Sequence, residues 1–314
     1  MAQLKRILVI GSANMDLSMN MYKLPEPGET LTDDGGVAYT PGGKGANAAF
    51  TLKKLGADTV FSAKLGADLH GQKLYGFFKE LGLNTSYIKV DRDYPTGFAA
   101  VIKETGGQNR IIYYPGANVC LTRENLVEAF SSAPDAVYIN FEVSFETALL
   151  ASKMASERGI PIFIDAAPAS RDFMLEALPR LEVFSPNESE TFTYTGILPA
   201  GADASLRAAL ALWKRVKCKY LVIKQGVRGV FIYDGKHYSM IPAYRADKVV
   251  DTTAAGDVFT AAMTLEYMRC GGDIVRAAKY GAAAAAVSVS RSGAISSVPT
   301  LEEVNDLIRR RQDQ

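Results

Sequence analysis

A chain of 314 residues with 48% hydrophobic and 22% charged side chains has the make-up of a globular protein able to bury a sizeable core. Its 35 basic and 34 acidic groups leave a formal net charge of +1, which argues against a nucleic acid or a membrane surface chosen by bulk charge. The two histidines, His70 and His237, lack metal-ligand spacing, which argues against a histidine-based zinc centre or a Ser-His-Asp triad. Three scattered cysteines (Cys120, Cys218 and Cys270) fit a reducing compartment. The apolar run after the first basic pair is too short for a signal peptide or a membrane span, so a cytoplasmic location is expected.

Ile7–Ile10 reads as a buried first strand. Gly11-Ser12-Ala13-Asn14-Met15-Asp16 follows at once, and Asn14 and Asp16 can offer donors and acceptors to sugar hydroxyls at a strand end; the alternative is an Asx turn. Leu17–Tyr39 alternates apolar and polar residues around a turn at Pro25, Pro27 and Gly28. Pro41-Gly42-Gly43-Lys44-Gly45-Ala46-Asn47-Ala48 then opens a helix over Ala46–Leu55, with Lys44 and Asn47 able to reach polar ligand groups, or with the glycines serving only as a turn. A Walker A loop fails here because residue 38 is Ala and residue 45 is Gly. A dinucleotide fingerprint forced onto Gly43, Gly45 and Ala48 does not follow the first strand.

A helix is predicted over Leu69–Glu80. Strands at Gly97–Lys103 and Asn109–Tyr114 are joined by the hairpin signal Glu104-Thr105-Gly106-Gly107-Gln108. Segments 16–41 and 95–116 are read together as a small antiparallel lid that keeps water from a reaction site. Beyond them, helices at Thr122–Phe130, Glu146–Arg158 and Ala204–Val216 alternate with strands at Ala136–Phe141, Ile160–Ile164, Val183–Ser185, Tyr220–Ile223 and Val230–Tyr233. That alternation predicts an α/β fold with a mostly parallel sheet covered on both faces, and ligands beyond the strands' carboxyl ends. No linker, repeat or low-complexity segment divides residues 1–314, so one unit with an inserted lid is expected.

Asn187-Glu188-Ser189-Glu190 offers a carboxylate for a hydrated Mg²⁺, or an ordinary helix cap. Lys224–Gly229 is either a phosphate cradle or a hairpin. The chain's sharpest chemical signal is Asp251-Thr252-Thr253-Ala254-Ala255-Gly256-Asp257, ahead of the helix Val258–Met268. Small residues at a helix start leave free N–H groups, so Ala254, Ala255 and Gly256 form a candidate anion hole and Asp257 a candidate base. The alternative is an Asp that merely caps or charges the helix start. Helices at Asp273–Val289 and Leu301–Arg310 close the chain; the Ala282–Ala286 run suits close contact with another backbone or a flat ligand.

In this order the motifs resemble the ribokinase branch of the PfkB carbohydrate kinase family, over nearly the whole chain. The likeness includes Gly11–Asp16, Pro27-Gly28-Glu29-Thr30, Gly42–Asn47, Gly66-Ala67-Asp68-Leu69-His70-Gly71, Pro115-Gly116-Ala117-Asn118 and Pro186–Glu190. It continues through Gly226-Val227-Arg228-Gly229, Asp251–Asp257 and Arg291-Ser292-Gly293-Ala294. The resemblance implies a three-layer α/β/α fold with the β lid and an ATP-dependent sugar kinase. Its sugar would be held by Asn14, Asp16, Gly43, Lys44, Asn47 and Glu142, with Asp257 deprotonating the sugar's primary hydroxyl. Asn187, Lys224, Gly226, Arg228, Gly229 and Gly281, together with Gly256, match ATP-contacting positions, and Glu190 matches the acid linked to Mg²⁺. A K⁺ site is implied at Asp251, Thr253, Ser288, Arg291, Gly293 and Ser297.

Two departures stand out: Asp165-Ala166-Ala167-Pro168 where the family typically has Asn-Pro-Ala-Pro, and Lys224 in place of a small hydroxyl residue. The expected substrate is a pentose, D-ribose first, because Asp16 and Glu142 suit vicinal hydroxyls and Phe98 and Tyr113 suggest a closed pocket. Deoxyribose, another furanose or a nucleoside is the alternative within the class, and a silent sugar- or nucleotide-binding regulator the alternative outside it. A homodimer through the lids is expected.

Overall fold

The side-chain alternation of β1 (Arg6–Ile10) sets the layering. In the computed structural model, which describes residues 4–32, 35–104, 109–246 and 248–312, Ile7 and Val9 face one apolar layer and Leu8 and Ile10 the other. All four are fully buried, which is why the strand reads as an unbroken apolar run. The chain then passes through Gly11–Ala13 into β2 (Asn14–Met21), returns as β3 (Val37–Gly42) and enters α1 (Lys44–Lys54). Next come β4 (Asp58–Gly66), α2 (Leu69–Glu80), β5 (Ile88–Asp91), β6 (Gly97–Glu104), β7 (Asn109–Tyr114), α3 (Arg123–Phe130) and β8 (Ala136–Asn140). They are followed by α4 (Phe145–Glu157), β9 (Ile162–Asp165), β10 (Leu181–Ser185), α5 (Glu188–Thr195) and α6 (Ala202–Trp213). The last elements are β11 (Cys218–Lys224), β12 (Val230–Tyr233), β13 (Tyr238–Ile241), α7 (Ala255–Arg269), α8 (Ile274–Ser288) and α9 (Leu301–Gln312).

Among the described residues the main sheet has nine strands in the order β13-β12-β11-β10-β9-β8-β1-β4-β5. Pairing is parallel from β11 through to β5, and β12 and β13 add an antiparallel edge. Helices α1, α2, α7 and α8 cover the Ile7–Val9 face, and α3, α4 and α6 cover the Leu8–Ile10 face. The result is the expected three-layer α/β/α arrangement. It directs the loops after β1, β8, β9, β10 and β11 to one end. Among the described residues no helix is long and apolar enough to cross a membrane.

β2, β3, β6 and β7 form a second sheet, ordered β3-β2-β6-β7, within the segments read as a lid. Its antiparallel pairs, β2–β3 and β6–β7, are joined by a parallel seam from Asn14↔Gly97 to Met21↔Glu104. Residues 105–108 of the predicted hairpin turn lie outside the described residues.

Three strands were not foreseen, and one short helix, α5, only as the alternative reading of Asn187–Glu190. Strand β4, next to the sheet edge formed by β5, carries Thr59, Ser62 and Lys64, which interrupt its apolar run, yet Thr59 and Ser62 are buried. Lys64 ends its charge on Asp91 and the Cys120 carbonyl. β5 is short and β13 is largely exposed, so neither has a strong apolar signature. α5 is rich in Thr and only eight residues long, and its intrinsic helix preference is weak.

One close approach fixes the entry to the site. The N-terminus of α1 lies directly on the chain leaving β1: Ala46 N–H donates to the Ser12 carbonyl at 2.9 Å and Gly45 N–H to Ser12 Oγ at 3.3 Å. A Cβ on Gly45 would lie 2.5 Å from the Gly11 carbonyl carbon and the Ser12 nitrogen. The glycine is required because backbone meets backbone there.

Candidate active site

At the end of β1 a set of polar side chains converges on one carboxylate. Glu142 Oε2 accepts a short hydrogen bond from Ser12 Oγ, one from Asn14 Nδ2 at 3.4 Å and one from the Lys44 main-chain N–H at 3.1 Å. Asn14 is oriented in turn by Asn118, whose Nδ2 donates to Asn14 Oδ1 at 2.7 Å while its Oδ1 takes the Ala13 N–H at 2.9 Å. Tyr113 OH accepts from Asn118 Nδ2 at 3.2 Å and donates to the Glu142 carbonyl at 3.3 Å. Ser12 and Asn118 had no role in the sequence reading, although both lie inside motifs quoted for the family resemblance.

Asp16 stands beside this cluster on β2. Its Oδ1 is buried without a partner, and a Cβ on Gly42 would fall 2.0 Å from its Oδ2. Burial, reinforced by Glu142 and Asp257 and opposed by Lys44, pushes the Asp16 pKa up to about 7. Asn47 Oδ1 and Asn140 Nδ2 are likewise buried without partners. Buried polar atoms are seldom left unpaired, and these stand ready for a polar ligand.

Asp257, 3% exposed, sits in the first turn of α7. Asn47 Nδ2 donates to its Oδ2 at 2.8 Å, and Lys44 Nζ lies 3.5 Å from its Oδ1. Burial raises the pKa of this carboxyl, with the Lys44 charge acting against that shift; Asp257 in turn raises the pKa of Lys44. The capping alternative fails on geometry. The N-cap position of α7 is Ala254, in the left-handed region at φ 61°, with no side-chain cap, and Asp257 lies within the first turn. Asp257 is spent on Asn47 and Lys44 instead. Of the three candidate amides, Ala255 N–H reaches back to the Thr252 carbonyl at a long 3.3 Å.

Across the sheet end, Asn187 and Glu190 form the capping box of α5: Asn187 N–H and Nδ2 donate to Glu190 Oε2 and Oε1 at 2.7 and 2.8 Å. The capping alternative therefore holds for these two residues. Burial pushes the Glu190 pKa up, against the pull of the Lys224 charge. Lys224–Gly229 makes the tight connection from β11 to antiparallel β12, where a Cβ on Gly229 would lie 2.0 Å from the Ile241 carbonyl oxygen. Gly226 is also at positive φ, and Arg228 pairs with Glu188. Gly281 lets α8 approach α7, since a Cβ there would meet the Phe259 carbonyl oxygen at 2.7 Å.

Of the six positions implied for a monovalent cation, three meet directly. Asp251 Oδ1 accepts from Thr253 N–H and Oγ1, and Asp251 Oδ2 from Gly293 N–H at 3.1 Å. Lys103, on β6, lies 3.5 Å from the same Oδ2. Ser288 and Ser297 share a hydroxyl–hydroxyl bond of 2.9 Å, and the Arg291 guanidinium turns away to Glu303. Among the described residues no group of three or more His, Cys, Asp or Glu side chains is arranged to hold a metal ion.

A buried acid at an uncapped helix start, flanked by lysine and unpaired hydroxyl acceptors on an α/β/α frame, has the layout of a small-molecule kinase. The chain belongs to the pfkB family of carbohydrate kinases, whose family model matches residues 4–301. It is an ATP-dependent sugar kinase. It is 30% identical to the ribokinase of Staphylococcus aureus over 304 residues, covering 96% of this chain and 99% of that one. It is 35% identical over 314 residues to the bifunctional ribokinase/ribose-5-phosphate isomerase A of Fructilactobacillus sanfranciscensis, where 99% of this chain spans 57% of that protein. The deoxyribokinase of Salmonella typhi is 29% identical over 304 residues, at 96% and 98% coverage. The solved Arabidopsis thaliana ribokinase, complexed with ribose and ATP, superposes with a TM-score of 0.87 at 29% identity, over 98% of this chain and 99% of that one.

Proposed function

We propose that the protein transfers the γ-phosphoryl group of ATP to the 5-hydroxyl of a pentose, with D-ribose as the preferred acceptor. The observation that carries this reading is the row of unpaired acceptors, Asp16 Oδ1 and Asn47 Oδ1, beside Glu142 and Asp257. Two carboxylates, Asp16 and Glu142, suit a ligand with adjacent hydroxyls to donate, which favours ribose over a 2-deoxy sugar. The ribokinases of Staphylococcus aureus and Arabidopsis thaliana support the same choice, and the deoxyribokinase of Salmonella typhi names its competitor.

In this reading Asn14, Asp16, Gly43, Lys44, Asn47 and Glu142 hold the sugar, and Asp257 removes the hydroxyl proton. The amides of Ala254 to Gly256 and the Lys44 ammonium then receive the charge on the transferring phosphoryl. The nucleotide lies along Asn187, Lys224–Gly229 and Gly281. Glu190 fits a hydrated Mg²⁺: with each oxygen already accepting from Asn187, it has lone pairs left for the ion's waters, and the ion when bound neutralises phosphate charge. Asp251 carries carboxylate oxygens, and Thr253, Gly293, Ser288, Arg291 and Ser297 would contribute hydroxyl or carbonyl oxygens, hard ligands that fit K⁺. Segments 16–41 and 95–116 act as the lid of one kinase unit. Exposed Val37, Tyr39, Ile111 and Ile112 on its edge strands suit pairing with a second copy. A monomer by sedimentation at micromolar concentration would contradict that dimer.

The Asp16 carboxyl gives a pH signature. Below about pH 7 it is protonated in the free protein and accepts hydroxyl donors poorly; above it the carboxylate accepts them. The KM for sugar is therefore expected to rise as pH falls, by up to about tenfold per unit below that midpoint, while the KM for ATP stays nearly level. A sugar KM flat from pH 5.5 to 8 would remove Asp16 from the sugar site. The substrate itself is tested by ADP release over a panel of ribose, 2-deoxyribose, other furanoses and nucleosides, with and without K⁺. A higher kcat/KM for 2-deoxyribose would overturn ribose, and no sugar-dependent ADP release would point to a binding protein without catalysis.

A further inference from the structure

The two positions at which this chain departs from the usual family pattern meet in the fold. Lys224 Nζ lies 2.9 Å from Asp165 Oδ1, with the two side chains only 11% and 1% exposed. We propose that Lys224 is a catalytic residue that donates to the transferring phosphoryl group, and that Asp165 is the positioning residue that holds its ammonium there. This rests on the reading of Ala254–Gly256 as the phosphoryl site.

The geometry leaves the lysine little freedom. Its main-chain N–H donates to the Pro186 carbonyl at 2.8 Å, and its residue bridges Asn187. Its ammonium donates to Asp165 Oδ1 and, at 3.2 Å, to Thr260 Oγ1. Thr260 is itself turned by donating to the Gly256 carbonyl at 3.0 Å, so its lone pair is what faces the lysine. Tyr138 OH donates to Asp165 Oδ2 at 3.3 Å and keeps the carboxylate from swinging away. An ammonium has three hydrogens, and these contacts use two. The third is available next to the anion loop: a Cβ placed on Gly256 would lie 3.7 Å from Nζ.

As a stability device the pair is a poor choice, because burying two charges costs about as much as their attraction returns. As a catalytic device it is well suited. Asp165 balances the lysine before ATP binds, so a cation is held in place without unpaired charge. During transfer the sugar oxygen forms a bond to phosphorus and the bond to the β-phosphate oxygen breaks. The hydroxyl proton goes to Asp257, and ADP leaves with the bonding electron pair. Negative charge spreads over the equatorial oxygens, and a preorganised ammonium beside them is stabilising without itself giving up a proton.

The test is a cycle of Lys224→Thr, Asp165→Asn and the double variant, read by single-turnover phosphoryl transfer, steady-state KM values and thermal unfolding. Lys224→Thr is expected to lower kcat by about 10²-fold or more with KM for ATP changed only a few-fold. The double variant, which leaves no buried unpaired charge, should regain the thermal midpoint lost in the single variants. It should keep the kcat of Lys224→Thr, with no further loss from Asp165→Asn, because Asp165 acts through the lysine. A double variant that regains wild-type kcat along with its stability would make the pair purely structural and overturn the proposal. So would a Lys224→Thr variant with intact kcat and a raised KM for ATP. Should the single variants fail to fold, the double variant carries the same decision. Asp257→Asn at near wild-type activity would instead sink the underlying site reading, whatever the lysine does.

Discussion

Asp257→Asn is expected to lower kcat by about 10²–10⁴-fold in a protein that still folds. The amide keeps the size of the carboxyl and can still hydrogen-bond to Asn47, but it has no basic oxygen for the hydroxyl proton. Two forces act on the native carboxyl. Burial raises its pKa, and the Lys44 ammonium, 3.5 Å away, opposes that shift. Removing the charge leaves Lys44 with Glu142, Asp165 and Glu190 as its nearby acids, and the KM for sugar should change less than kcat. Single-turnover transfer from ATP, with the thermal midpoint as a control for folding, measures both. Activity within a few-fold of wild type would eliminate Asp257 as the base.

Gly45→Ala is expected to damage fold and function together. The added methyl would meet Gly11 and Ser12 main-chain atoms at 2.5 Å, and neither strand end nor helix start can yield as a flexible side chain could. Overpacking of this kind costs about 3 kcal/mol, at the upper end of its usual range. For a chain of this length that is a fall of about 5 °C in Tm. Pushing α1 away from β1 also moves Lys44 and Asn47 relative to Asp257, and a misplacement of about 1 Å costs roughly 10²-fold in rate. Calorimetry and kcat/KM on the same sample check both. The comparison variant is Gly76→Ala, on α2, where a Cβ meets nothing within 4 Å and little should change. Equal stability of the two variants would remove the backbone contact as the anchor of the site.

How much of this was legible in the sequence differs by element. β1 and β8 could be read because both faces are buried and the apolar runs are unbroken. β4 could not, because polar Thr59 and Ser62 are buried inside it and mimic a surface segment. The candidate base and the glycine-rich turn were legible through short motifs whose residue types carry chemistry, and Glu142 only through the family resemblance. Their partners were not. Asn118 orients Asn14 across 104 residues, and Asp165 meets Lys224 across 59. Spacing along the chain carries no information about such pairs; only the strand orders make them neighbours, β9-β10-β11 for Asp165 and Lys224 and β2-β6-β7 for Asn14 and the turn that follows β7. Asn187 and Glu190 show the reverse case: local spacing alone offered the cap as one of two readings, and the fold forms the capping box.

The central claim is phosphoryl transfer to the primary hydroxyl of a pentose. The most direct measurement is ³¹P and ¹H NMR of the product formed from ATP and D-ribose by the purified protein in the presence of Mg²⁺ and K⁺. The expected spectrum is that of ribose bearing phosphate on C5, with ADP formed in equal amount. ATP left unconsumed under those conditions, or phosphate attached at any other carbon, would contradict it.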